Sequence, residues 1–331
     1  MNQRIILFPS FWVRIGIPRS FSLGKGLFTR LKDVSGRPSL RQHVKRTPGL
    51  YGRQPTVVIN GSRTFKSIFF RCGLFTFISV NTVFAGTMIW NYNNWNSHLA
   101  RYRRTAFRDA FIAIFGRPPK SSDIFWAIAL ANFVVYAFNN TRRFGHTFLK
   151  YFANSPYGPW PAISMVLSIF SHQAFFHMFL NMYVLHNFTQ PLVRVLGMEQ
   201  FFAVFLGGGI FASFLSVLSK AARNSRIPSI GASGAVCAVL GAFCMLEPQS
   251  LLCVPFVVNV IPHSFTASNA AWTIAAFEAL GALFLYRRSP IDHAAHLGGL
   301  LFGMYYGLEG KNVALQYRDF VISAWRNLLG E

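Results

Sequence analysis

The sequence predicts an all-α membrane protein: one extra transmembrane helix followed by a bundle of six. Three observations carry that expectation. Of 331 residues, 52% are apolar and only 13% are charged, against about a quarter charged in soluble chains. So few charges cannot coat a globular surface of this size, and apolar surface must face lipid instead. Apolar runs recur at lengths suited to a bilayer. Outside the N-terminal segment, most basic residues lie in short stretches between those runs, as membrane-flanking charges do.

The elements follow in order. Residues 1–66 hold thirteen Lys and Arg against a single acid, Asp33. A basic, acid-poor start with interspersed Phe, Leu, Ile and Ser reads as a mitochondrial presequence, and Arg4 to Arg30 spaces arginines among large apolar residues. The alternative is a basic tail held near anionic lipid. The net charge of +22 does not sit on a separate soluble domain, so it argues for membrane-flanking and targeting roles rather than a nucleic-acid partner.

Residues 67–122 supply the extra span, Ile68 to Trp90, with Arg71 near enough to its start to snorkel to the interface. A basic, partly amphipathic stretch, Asn91 to Ser122, is expected on the membrane surface. Residues 123–310 form the core. Its six candidate spans are Ile124 to Phe138, about Phe175 to Phe188, Gln200 to Leu218, Ala232 to Leu246, Ser268 to Tyr286 and Ala294 to Gly307. Pro161 to Phe170 is read as a re-entrant or interfacial piece, and residues 311–331 as a C-terminal tail. Several runs are short and glycine-bearing, as suits helices that start inside the protein rather than at the headgroups. Loop charges place the N-terminus and the loops flanking Ser233 and His296 on the matrix face. The cysteines Cys72, Cys237, Cys244 and Cys253 fit no CxxC pattern and are expected to be packing residues.

Ionisable and polar groups inside a bilayer are expensive, so each is a functional candidate. Gly231-Ala232-Ser233-Gly234-Ala235 opens an apolar helix. Its small residues leave the serine hydroxyl open, and a helix start offers N–H groups to a developing negative charge. His293-Ala294-Ala295-His296-Leu297-Gly298-Gly299 opens the last span, where Gly299, Gly303 and Gly307 form a smooth stripe. That stripe lets this helix press on the Ser233 helix and brings His296 toward the hydroxyl, which needs a base to become a nucleophile. In His177-Met178-Phe179-Leu180-Asn181 the i, i+4 spacing stacks imidazole and carboxamide on one face, and both can donate to an oxyanion. Taken singly, each has a plainer reading: glycine-rich packing, an interfacial histidine pair or a metal site, and hydrogen-bonded helix cross-links. Glu278 falls mid-span and is expected to be neutral or hydrogen-bonded in the bundle. Asp292 is expected to be solvated in its loop.

The order HxxxN, GASGA, HxxHLGG resembles the rhomboid intramembrane serine proteases, most closely their mitochondrial presenilin-associated rhomboid-like branch. The resemblance covers roughly Ala162 to Gly307. It implies a Ser233–His296 dyad, with Ser233 as nucleophile and His296 as base, and an oxyanion-binding pair of His177 and Asn181. Many bacterial rhomboids stack a tyrosine on the catalytic histidine from four residues after the serine. Cys237 stands there, so other packing must orient His296.

The function so implied is acyl transfer on membrane-embedded single-span proteins in the mitochondrial inner membrane, without metal or cofactor; no HExxH motif occurs in the chain. A helical peptide bond is shielded by its own hydrogen bonds, so substrates should carry helix-weakening residues. The rival reading is a catalytically silent rhomboid-like protein that binds membrane clients.

Overall fold

The computed structural model describes residues 6–7, 63–99, 112, 116–117, 120, 122–139, 141, 144–254, 257–285 and 289–330. Apart from Ile6, Leu7 and residues 63–66, the expected presequence and basic segment lie outside the described residues, as does most of the linker beyond Leu99.

Helix α1 (Phe65–Leu99) contains the extra apolar run and continues beyond Trp90 into Asn-rich sequence. It corrects the expected end of that element, because polar residues at an interface do not interrupt backbone hydrogen bonding. Helices α2 (Asp123–Asn139) and α3 (Gly145–Tyr151) follow. Helix α4 (Pro161–Leu167) starts on a proline, where no intrahelical N–H is needed, and ends in a tight turn, Ser168–Phe170. Then come α5 (Phe175–Leu196), α6 (Met198–Ala222) and α7 (Ser233–Leu246). Helix α8 (Ala267–Leu280) widens into a π turn, Gly281–Leu285. Helix α9 (His293–Tyr305) passes through a second π turn, Tyr306–Gly310, into α10 (Lys311–Leu329).

Each of the six expected core runs falls on a helix: α2 and α5 to α9. Among the described residues, three helical stretches are long and apolar enough to cross a membrane: Phe65–Asn94, Met198–Ala222 and Ala267–Leu285. Pro161–Phe170 and Phe175–Leu196 pass the same test together but bend by 77° between them, which fits either a broken span or the expected re-entrant piece. Asp123–Asn139 and Ser233–Leu246 are apolar but shorter.

Helix α6 is the hub. Phe201, Phe205, Ile210 and Val217 are wholly buried along it. Its run Gly207-Gly208-Gly209 removes side chains where neighbours arrive: Phe84 of α1 meets Gly207, while Ala238 and Ala235 of α7 meet Gly208 and Gly209. Without a hydrophobic drive inside lipid, such close backbone approach is how dispersion holds helices together. Helix α1 lies along α6, with Trp90 edge-on to Phe202, and Asn94 Nδ2 donating 2.9 Å to Glu199 Oε1. Phe84 reaches Phe302 near the end of α9 and Tyr306 at the start of the π turn that follows.

A small sheet departs from the all-α expectation. Strands β1 (Ile6–Leu7), β2 (Leu251–Cys253) and β3 (Phe265–Thr266) lie in that order, the first pair parallel and the second antiparallel. Backbone groups in the α7–α8 connection find partners there, and Val254 N–H donates 2.9 Å to His263 Nε2.

Candidate active site

Glycine sets the geometry of the site. A Cβ on Gly299 would overlap the Gly234 carbonyl, and one on Gly303 would overlap that of Ala238. Gly307 repeats the pattern against Met245 and Ala242, and Gly241 returns it from the α7 side against Leu300 and Met304. The expected stripe therefore exists, and α7 and α9 touch backbone to backbone along it. Any side chain in that seam would separate the first turns of the two helices.

Those first turns hold Ser233 and His296. Ser233 Oγ lies 2.7 Å from His296 Nε2. On the other side of the ring, His296 Nδ1 lies 3.1 Å from Glu278 Oε1 of α8. The second carboxylate oxygen, Oε2, lies 2.6 Å from His293 Nδ1, and Ser289 Oγ lies 3.1 Å from His293 Nε2. His293, His296 and Glu278 are all buried. A hydroxyl, an imidazole and a carboxylate thus stand in line. Proton transfer from hydroxyl to ring is the chemistry this order permits. Glu278, expected to be neutral or hydrogen-bonded in the bundle, is bonded to both histidines. Cys237 stands half-buried one turn after Ser233.

The third motif comes in from α5. His177 is half-buried, and its Cε1 lies 2.9 Å from where a Cβ on Gly231 would be. Gly231 has φ +145, a conformation open to glycine and strained for other residues, which lets the chain pass under the ring into α7. Asn181 is buried one turn further on. Its Nδ2 donates 3.0 Å to the His177 carbonyl and lies 3.1 Å from His172 Nε2. Ala232 N–H also points at His172 Nε2, at 3.5 Å. Since backbone and amide N–H groups both donate, that nitrogen is the bare one and Nδ1 carries the proton. His172, fully buried and edge-on to the His177 ring at 5.3 Å, thus couples the His-Asn motif to the residue before Ser233. The pattern reading gave it no role, because its distance from Ala232 exists only in the fold.

Asp292 corrects its expected state. Oδ1 accepts from Ala295 N–H at 3.1 Å, capping α9. Oδ2 accepts from Ser216 Oγ at 2.5 Å and Lys220 Nζ at 2.6 Å on α6, and from Ser229 Oγ in the approach to α7. One carboxylate therefore ties the starts of both site helices to the hub. Burial alone would raise its pKa; the Lys220 charge and the three donors outweigh this and hold it below the ordinary carboxylate range. Ser229 is itself paired with Asn154, by backbone bonds of 2.8 and 2.9 Å. Among the described residues, no group of three His, Cys, Asp or Glu is arranged to hold a metal.

A rhomboid-domain model matches residues 159–310, which include Ser233, His296, Glu278, His177, His172 and Asn181. The chain belongs to the rhomboid family. It is 33% identical over 280 residues to the mitochondrial presenilin-associated rhomboid-like protein of Homo sapiens, covering 80% of this chain and 71% of the relative. The Mus musculus counterpart is 32% identical over 283 residues, covering 80% and 72%. Mitochondrial rhomboid protein 1 of Saccharomyces cerevisiae is 38% identical over 151 residues, covering 44% and 41%. With its apolar helices, this makes the chain a multi-pass mitochondrial membrane protein.

Proposed function

We propose that the protein is an intramembrane serine endopeptidase of the mitochondrial inner membrane, built as one span plus a six-helix core over residues 123–310. The observation that carries this is the 2.7 Å approach of Ser233 Oγ to His296 Nε2, two residues sixty-three apart in the chain, each in the first turn of its helix. Ser233 attacks a peptide carbonyl of a membrane-embedded single-span protein while His296 takes the hydroxyl proton. The tetrahedral intermediate collapses as His296 returns that proton to the departing amine. Water, deprotonated by the same ring, then releases the acyl group from Ser233.

His177 and Asn181, with the first-turn N–H groups of α7, face the oxyanion. Asn181 exchanges its bond to His172 or to the His177 carbonyl when it does so. The buried, backbone-tight seam excludes bulk water, which strengthens every one of these interactions.

The experiment is cleavage of a single-span reporter carrying a Gly- or Ser-weakened helix, by protein reconstituted in liposomes. Wild type should cut within the membrane segment, and Ser233→Ala and His296→Ala should each lose at least about 10³-fold in kcat. A fluorophosphonate should label wild type and not Ser233→Ala. Reporter bound but uncut by all three would establish a client-binding protein instead.

A further inference from the structure

The reading of Ser233 and His296 as nucleophile and base leaves open what holds the imidazole, and the answer lies on α8. We infer that Glu278 is the positioning residue for His296, fixing its tautomer and plane, and that His293 in turn fixes Glu278. This inference rests on the proposed function and adds a third and a fourth member to it.

A carboxylate only accepts hydrogen bonds. Glu278 Oε1 faces His296 Nδ1 at 3.1 Å and Oε2 faces His293 Nδ1 at 2.6 Å. Both Nδ1 atoms must therefore carry protons, which leaves both Nε2 atoms bare. A bare Nε2 is what His296 needs in order to accept the Ser233 proton, and what His293 needs in order to accept from Ser289. The opposite tautomer of His296 would aim an N–H at Ser233 and could take nothing from it. When His296 gains the proton, the buried negative charge beside it stabilises the imidazolium, and Glu278 itself takes up no proton.

The surrounding fold is shaped for this bridge. His293 and His296 are three apart on the first turn of α9, so both rings point to α8. Gly281 lies three residues after Glu278, and a Cβ there would come within 2.5 to 2.7 Å of three His293 ring atoms. The π turn beginning at Gly281 opens the helix where His293 nests, and Phe277 closes it edge-on at 6.0 Å. With both oxygens engaged, the carboxylate cannot rotate.

A plain cross-link between α8 and α9 would have the same contacts, so the test must separate positioning from support. Glu278→Gln keeps length and one acceptor, but presents an N–H that favours the wrong tautomer of either ring. In reconstituted full-length protein it should lower kcat by about 10²-fold or more, as loss of an orienting carboxylate does, with KM unchanged within about twofold. Glu278→Asp should restore at least about tenfold of that loss. Imidazole ¹⁵N spectra of the wild type should show His296 protonated at Nδ1, and Glu278→Gln should move the population to Nε2. Wild-type kcat in Glu278→Gln, or a wild-type His296 protonated at Nε2, would overturn the inference. If Ser233→Ala cuts as well as wild type, the protease reading fails, while the ¹⁵N spectra still decide whether Glu278 sets the ring.

Discussion

The α-carbon of Gly303 rests against the carbonyl of Ala238, so that one added methyl would overlap the carbonyl oxygen and stand 2.7 Å from Ala242 N. This contact lies one turn beyond Gly299 and Gly234, and two turns from the Ser233–His296 pair. Gly303→Ala should therefore wedge α9 from α7 near the site. Overpacking of this kind costs about 1–3 kcal/mol, and a displacement of about 1 Å at reacting atoms costs about 10²-fold in rate. Thermal unfolding in detergent and reporter cleavage should both fall. Gly86→Ala, inside α1 at a position with nothing within 4 Å of a built Cβ, should leave cleavage unchanged and should not lower the thermal midpoint, since alanine favours a helix interior.

Gly231 and Gly197 make a matched pair. Both have positive φ, +145 and +83, and alanine at either position is strained by about 1–3 kcal/mol. Only Gly231 lies under the His177 ring; a Cβ on Gly197 would meet Glu199 Oε2 at 3.5 Å, remote from the site. Gly197→Ala should lose stability to backbone strain, and Gly231→Ala to strain plus displacement of the His177 ring, while kcat falls at least about tenfold for Gly231→Ala alone. Equal kcat in the two variants would remove His177 from the oxyanion site.

Asp292 gives a pH dependence with a definite sign. Its folded pKa is held below the ordinary value of 3.8 by Lys220, Ser216 and Ser229. The group therefore contributes stability that is fully present above 3.8 and is lost as pH falls through the folded value. Asp292→Asn should be less stable at pH 7 by about 2 kcal/mol, below the cost of breaking a fully buried pair because the carboxylate is partly exposed. The gap in thermal midpoint between variant and wild type should close as pH drops below 4. A gap constant from pH 7 to pH 3 would show that the N-cap bond to Ala295, not the charge, is what matters.

How much of this was readable in the sequence depends on range. The shared face of His296 and the stripe Gly299, Gly303, Gly307 was legible from helix periodicity, whereas the roles of Ser233 and His296 came from the family resemblance. The six core helices were legible as apolar runs, since lipid leaves no other signal to compete. Glu278 and Asp292 were visible as costly charges, but their partners were not. His293 and Lys220 reach them from other helices, and only the packed bundle sets which turn of α8 faces α9. The break before α5 was legible as the gap between the runs ending at Phe170 and starting at Phe175, but its 77° angle was not, because Ser171 to Ala174 carries no proline or glycine to set it.

His172 is the residue whose importance only the fold reveals, and it supports the last prediction. Its Nε2 lies 3.1 Å from Asn181 Nδ2 and 3.5 Å from Ala232 N, so one buried acceptor serves both the carboxamide of α5 and the chain entering α7. His172→Phe fills the same space but leaves two buried donors unpaired, at about 1–3 kcal/mol each. Asn181 then loses the bond that aims it, and the Ala232 peptide is free to turn. His172→Gln offers a carbonyl oxygen at similar reach and should retain much of both bonds. Cleavage assays should therefore rank wild type above His172→Gln, and His172→Phe lowest by at least about tenfold in kcat. Asn181→Ala should add little to the loss already present in His172→Phe, since coupled groups are not additive. Fully additive losses would mean that His172 does not act through Asn181.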